Sequence, residues 1–177
     1  ARRALAARRP PPLLAPPDVA VRLLREHLPG AVPIELAEAA LAKEHVFDLL
    51  GSGPVKVGGA DGIDWHLDWK TGVRWPLGFY QDIPIKVAAS GPEDVKVPWE
   101  LSRFQHASAL GRAFALTGDE AWAEELRAQL LDWIEKNPYA GSCNWKNAME
   151  VGLRAVGWIV GLELCAGSRV LADPELV

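Results

Sequence analysis

Asn137-Pro138-Tyr139-Ala140-Gly141-Ser142-Cys143-Asn144-Trp145-Lys146-Asn147-Ala148-Met149-Glu150-Val151-Gly152-Leu153-Arg154-Ala155 runs from a polar, glycine-bearing turn straight into an apolar helical pattern. Asn137-Pro138 ends the helix before it, because proline has no N–H for a helix interior. The apolar spacing predicts that the next helix runs from Asn144 to about Ala166, with Met149, Leu153, Val156, Val160 and Leu164 on its apolar side. Asn is a preferred N-cap, and the free amide groups of a first helical turn attract anions. Asn144, Trp145 and Asn147 are therefore expected at a helix mouth suited to acid groups.

Upstream, Pro98 suits a first helical position, and the pattern it opens runs to about Leu116. Thr117-Gly118-Asp119 closes that helix and caps the next, Glu120 to Lys136. Nearer the start, Asp18 can cap a helix through His27, and Ile34 to Leu50 reads as another, with Leu36, Ala40, Phe47 and Leu50 on one face. Between them and Pro98, residues 51–97 are irregular and aromatic, with Trp65, Trp69, Trp75, Phe79 and Tyr80 among Gly, Pro and Asp. That composition predicts a long ordered loop packed on the helices. No βαβ alternation is visible, so the chain reads as all-α, built from antiparallel helical hairpins. The pattern alone allows a bundle or a solenoid, and no fixed repeat period is found.

With 177 residues, 49% of them hydrophobic, the chain can bury one sizeable core. No segment is apolar enough to span a bilayer, since Arg154 and Glu163 interrupt the best candidate. The net charge of -4, from 19 basic and 23 acidic residues, argues against broad nucleic-acid binding. Cys143 and Cys165 make neither a disulfide framework nor a metal cluster and read as free thiols. Residues 1–17 carry Arg2, Arg3, Arg8 and Arg9 and then a proline-rich run, which reads as an extended arm without the apolar core of a signal peptide. The chain starts without Met, and the compartment is not readable from this end.

Five landmarks then occur in order: Gly51-Ser52-Gly53-Pro54, Ile63-Asp64-Trp65-His66-Leu67-Asp68, Trp75-Pro76, the Trp99 stretch Val97 to His106, and Asn144-Trp145 through Arg154. From about Phe47 to about Leu164 the chain resembles the heparinase II/III-like polysaccharide lyases and their alginate-lyase-like relatives. The resemblance implies a partial (α/α) toroid over residues 18–177, with the family's β-sandwich domain absent from this chain. It implies β-elimination at a uronic acid of an acidic polysaccharide, without metal or cofactor, and a periplasmic or secreted location. In such a reaction the carboxylate is neutralised, a base removes the C5 proton and an acid protonates the departing O4. By motif position Asn144 takes the neutralising role, with Asn147 as second choice. Neither Tyr80 nor Tyr139 matches the family's catalytic Tyr, and its catalytic His belongs further on. The chain is thus expected to be an incomplete N-terminal part, inactive alone and lacking its C-terminal remainder.

Each site residue also has a plainer reading. Asn144 can be a cap with no ligand. Arg154 lies about 80° around the helix from Asn144 and roughly 15 Å along it, too far to share a sugar ring; it is expected to pair with Glu150 at the i,i+4 spacing. Trp99, Arg103 and His106 fall on one helix face, an array that could stack a sugar and hold its acid group. Alternatively Arg103 pairs with Glu100 and His106 is a core residue. Trp65 and His66 could form one wall of a sugar groove, or pack the loop on the helices; a metal there lacks third and fourth ligands. A non-catalytic helical carbohydrate-binding or scaffold module is the competing function class.

Overall fold

A computed structural model describes residues 16–85 and 91–172; of the basic, proline-rich arm, all but Pro16 and Pro17 lies outside them. The molecule is mainly helical. Helix α1 spans Pro17–His27, with proline at its first position and Asp18 in the first turn, not at the cap as expected. Helix α2 spans Ala31–Lys43. The helix expected through Leu50 stops there, because His45 adopts a positive φ of 56° and turns the chain into a small antiparallel hairpin, β1 Val46–Phe47 with β2 Val55–Lys56. Phe47 thereby enters the core from a strand. A second hairpin, β3 Leu67–Asp68 with β4 Val73–Arg74, also breaks up what the sequence suggested was loop alone.

The single helix expected from Pro98 to Leu116 is two, α3 Lys96–Ser102 and α4 Ala107–Thr117. Phe104 marks the break with φ 58°, and its ring is fully buried, stacked on Trp65 at 4.9 Å. Burying a phenylalanine stabilises by up to about 3 kcal/mol, whereas one left-handed residue costs about 1–2 kcal/mol, so the kink survives. Helix α5, Glu120–Lys136, matches expectation: Gly118 closes α4 in the left-handed region and the Asp119 carboxylate accepts from the N–H of Ala121.

A 3₁₀ turn over Cys143–Trp145 precedes α6, Ala148–Leu164, whose N-cap is Asn147 accepting from the N–H of Met149. The expected helix start at Asn144 is therefore corrected by one turn. Helix α4 lies centrally, packed on α2, α5 and α6. The approach of α6 to α4 and to the bend before it is set by small residues: a Cβ on Gly157 would stand 2.4 Å from the Arg103 carbonyl oxygen at the bend, and one on Gly161 would stand 2.9 Å from the Ala107 Cβ of α4. Consequently α6 turns glycines, Glu150 and Arg154 inward, while Met149, Leu153 and Val156 of its expected apolar side are exposed and Val160 and Leu164 half-buried. That prediction fails because the close crossing needs small side chains, not large ones. The main core gathers Trp65, Leu101, Phe104, Leu110, Leu126 and Trp133 between these helices and the aromatic loop.

Candidate functional site

The aromatic loop and the C-terminal end of α5 enclose a groove of about 1000 Å³. Lys56, Arg74 and Lys136 stand around it with Asp61, Asp64 and Glu135, and His66, Trp65 and Trp75 line it from below. Two glycines let the loop lie this close. Gly62 has φ 84° and a Cβ there would meet Asp132 Oδ1 at 2.4 Å; Gly58 has φ 109° and a Cβ there would meet the Gly62 carbonyl oxygen at 2.2 Å. Lys136 fastens the loop to α5 by donating to the carbonyls of Asp61 and Ile63 and pairing with Asp132, while Trp65 Nε1 donates to the same aspartate at 2.7 Å. Arg74, largely exposed, pairs with Asp64.

Beneath the groove lies a sealed polar network centred on Asn137, the residue that ends α5. Its Nδ2 donates to the Trp133 carbonyl, which fixes the amide so that Oδ1 faces three donors: Ser142 Oγ at 2.7 Å, Asn144 Nδ2 at 2.9 Å and His66 Nε2 at 3.0 Å. Burial holds the His66 pKa below 6.5; the Asn137 bond and Asp64 oppose this, and Arg74 and Lys136 add to it.

The residues singled out in the sequence distribute unevenly over this arrangement. Trp65 and His66 belong to the groove. Asn144 lies under it, wholly buried, its amide donating to the Trp65 carbonyl at 3.1 Å and to Asn137, and its N–H bonded to Ser142 Oγ. It therefore joins loop to turn and does not stand at a helix mouth. Asn147 is the N-cap. Trp145 is half-buried against Trp133 and donates to the Asn137 carbonyl. Trp99 is buried and donates to the Cys143 carbonyl at 2.9 Å.

Arg103 pairs with Glu100, as one reading had it, and also bidentately with Glu150 at 2.7 and 2.9 Å, which raises its pKa. His106 sits apart from both, its ring packed on Phe47, Phe104 and Trp65 and its Nε2 buried without a partner, with burial pushing its pKa down to about 4. The three do not form one sugar-binding face, because the chain bends at Phe104 between them. Arg154 does not pair with Glu150. It donates to the carbonyls of Ser102 at 2.9 Å and Asn144 at 2.6 Å, and its guanidinium lies 4.0 Å over the Trp133 ring.

Sequence reasoning passed over Asn137, Ser142, Arg74 and Lys136. Asn137 was legible only as a helix stop, since His66 is 71 positions away. Both cysteines are free and buried, with burial raising each pKa to about 12. Among the described residues no helix is long and apolar enough to cross a membrane, and no group of three or more His, Cys, Asp or Glu is placed to hold a metal.

Residues 31–172, which take in the groove, the Asn137 network and all five landmarks, match the Heparinase II/III N-terminus family. The chain belongs to that family. A 72-residue stretch, 41% of this chain, is 39% identical to a heparin-sulfate lyase of Bacteroides stercoris, and covers 8% of that enzyme's length. No solved structure matches the chain. In this heparinase II/III N-terminal segment, Asn137 and Asn144 thus bind together the aromatic loop and the turn before α6, both inside the matched residues.

Proposed function

We propose that this chain is the N-terminal part of a polysaccharide lyase that cleaves a uronate-containing acidic glycan by β-elimination. The observation that carries the reading is the groove itself: in a chain of this family, a histidine and three cationic side chains, interspersed with three carboxylates, surround a cleft with room for more than one sugar ring. The helical hairpins of residues 18–177 are read as the beginning of an (α/α) toroid. In support, α6 carries apolar side chains on its outer side, and a further apolar groove of about 460 Å³ runs between α5 and α6 beside Leu131, Ile134 and Leu162.

In the reaction, a base takes the C5 proton, its electron pair forms the C4–C5 double bond, and the C4–O4 bond breaks with O4 taking up a proton. The carboxylate at C5 must be neutralised for that proton to leave. We assign this role to Arg74, whose planar fork can meet a carboxylate while remaining beside Asp64. Asn144 enters as a positioning residue, since both of its amide hydrogens are committed to Trp65 and Asn137. No base or acid is assigned among the described residues.

The test is the absorbance of the unsaturated uronate, followed for the full-length gene product on a panel of acidic polysaccharides. Arg74→Ala is expected to lower kcat/KM by roughly 100-fold while leaving the unfolding midpoint in place. Asn144→Ala is expected to lower activity and stability together; loss of activity alone would instead make Asn144 the carboxylate donor. No absorbance change on any glycan, with saturable binding of one, would favour the binding-module reading.

A further inference from the structure

His66 has two ring nitrogens, and the structure settles what each can do. Asn137 Oδ1 can only accept, because the partner amide nitrogen is bound to the Trp133 carbonyl, so His66 Nε2 must carry the proton of the bond between them. In the neutral ring Nδ1 is then a bare lone pair. It makes no hydrogen bond among the described residues, and it is not one of the sealed polar atoms left without a partner, which include His106 Nε2 and Asn144 Oδ1. Nδ1 is therefore an unsealed, unbonded atom on a residue that lines the groove. An acceptor locked in this way, with a guanidinium close by on Arg74, is complementary to a ligand carrying both a hydroxyl and an acid group.

We infer that His66 Nδ1 accepts a hydrogen bond from a sugar hydroxyl of an acidic oligosaccharide whose carboxylate or sulfate lies on Arg74. This rests on the lyase reading above and adds to it a residue that positions substrate and reads its hydroxyl pattern. Asn137, Ser142 and Asn144 serve the contact indirectly by fixing the ring and its tautomer.

Two substitutions separate the ring's two roles. In His66→Gln the amide nitrogen can occupy the place of Nε2 and keep the bond to Asn137, but nothing replaces Nδ1. In His66→Asn the side-chain oxygen can occupy the place of Nδ1, and the bond to Asn137 is lost. Steady-state cleavage of heparan sulfate and of alginate by the full-length protein, followed by the absorbance of the unsaturated uronate, is compared across the three proteins and over pH. The charged groups facing the ring, Asp64 and Arg74 from the loop and Lys136 from α5, are the same in each.

The expected result is that His66→Gln raises KM about ten-fold with kcat within about two-fold and with an unchanged unfolding midpoint, while His66→Asn recovers most of the KM at lower stability. Protonation of Nδ1 removes the acceptor, so the wild-type KM rises in acid, below pH 6.5 because burial lowers the His66 pKa, and His66→Gln lacks that rise. A wild type that cleaves while His66→Gln keeps the wild-type KM and acid limb overturns the inference and leaves the lyase reading standing. A wild type that cleaves neither glycan refutes the lyase reading for those uronates, and the inference falls with it.

Discussion

Arg154 is a full cation inside the protein, held by two backbone carbonyls and an aromatic face, with burial lowering its pKa to about 10. It ties the end of α3 to the 3₁₀ turn through the carbonyls of Ser102 and Asn144. Replacing it with Met keeps much of the apolar stem but leaves both carbonyls unpaired, which is expected to cost about 2–4 kcal/mol in urea unfolding; a change below about 0.5 kcal/mol would show that water substitutes there. Asn137→Ala is expected to destabilise by about 2–3 kcal/mol, since three buried donors lose their shared acceptor. Both residues were visible in the sequence, one as a charge interrupting an apolar helix and the other as a helix stop. Their partners were not, because a backbone carbonyl carries no residue signature and the Arg154 bond to Ser102 spans 52 positions. The same blindness put Asn144 at a helix mouth, where a cap-forming residue type and a family landmark coincide with a wholly buried side chain.

At the level of elements, the contact of α6 with α4 and with the bend before it depends on backbones approaching closely. A methyl group at Gly157 would press on the Arg103 carbonyl oxygen, so Gly157→Ala is expected to destabilise by about 1–3 kcal/mol despite its better helix propensity. Gly152, on the same helix with open space beside it, is the control: Gly152→Ala is expected to stabilise by about 0.5–1 kcal/mol, and thermal unfolding of the two variants reads both signs. Helix α5 was legible end to end because its boundaries are local chemistry, Gly118 before it and Asn137-Pro138 after it. The bends at His45 and Phe104 were not, since each is imposed by what the neighbouring ring buries against: Phe47 and Phe104 both enter the core that Trp65 supplies from the loop. Local propensity favoured continuing both helices, and tertiary burial overruled it.

For the whole molecule, pH acts through a histidine in the core. The unfolded chain takes up a proton at His106 near pH 6.5, whereas the folded ring resists until about 4, so the unfolded state binds more protons in between. Stability contributed by the neutral ring is present above pH 6.5 and lost as pH falls toward 4, on the order of 3 kcal/mol. Urea midpoints of the wild type are expected to fall over that range and those of His106→Gln to fall less; parallel profiles would contradict a sealed ring. The mainly helical class and the family could be read from the sequence at this scale, because helix periodicity and the order of motifs along a chain are one-dimensional properties. Of the groove only the Trp65–His66 wall could, as its cations Lys56, Arg74 and Lys136 come from three separate segments that only the folded loop brings together.

Elimination differs from hydrolysis in the fate of water. Digestion of heparan sulfate or alginate by the full-length protein in heavy-oxygen water, with products weighed by mass spectrometry, reads this directly. Unsaturated products that carry no heavy oxygen at the cleaved bond are the predicted result, because the C4–O4 bond breaks without water adding. Saturated products bearing the label would show that water adds across the bond and that the protein is a hydrolase.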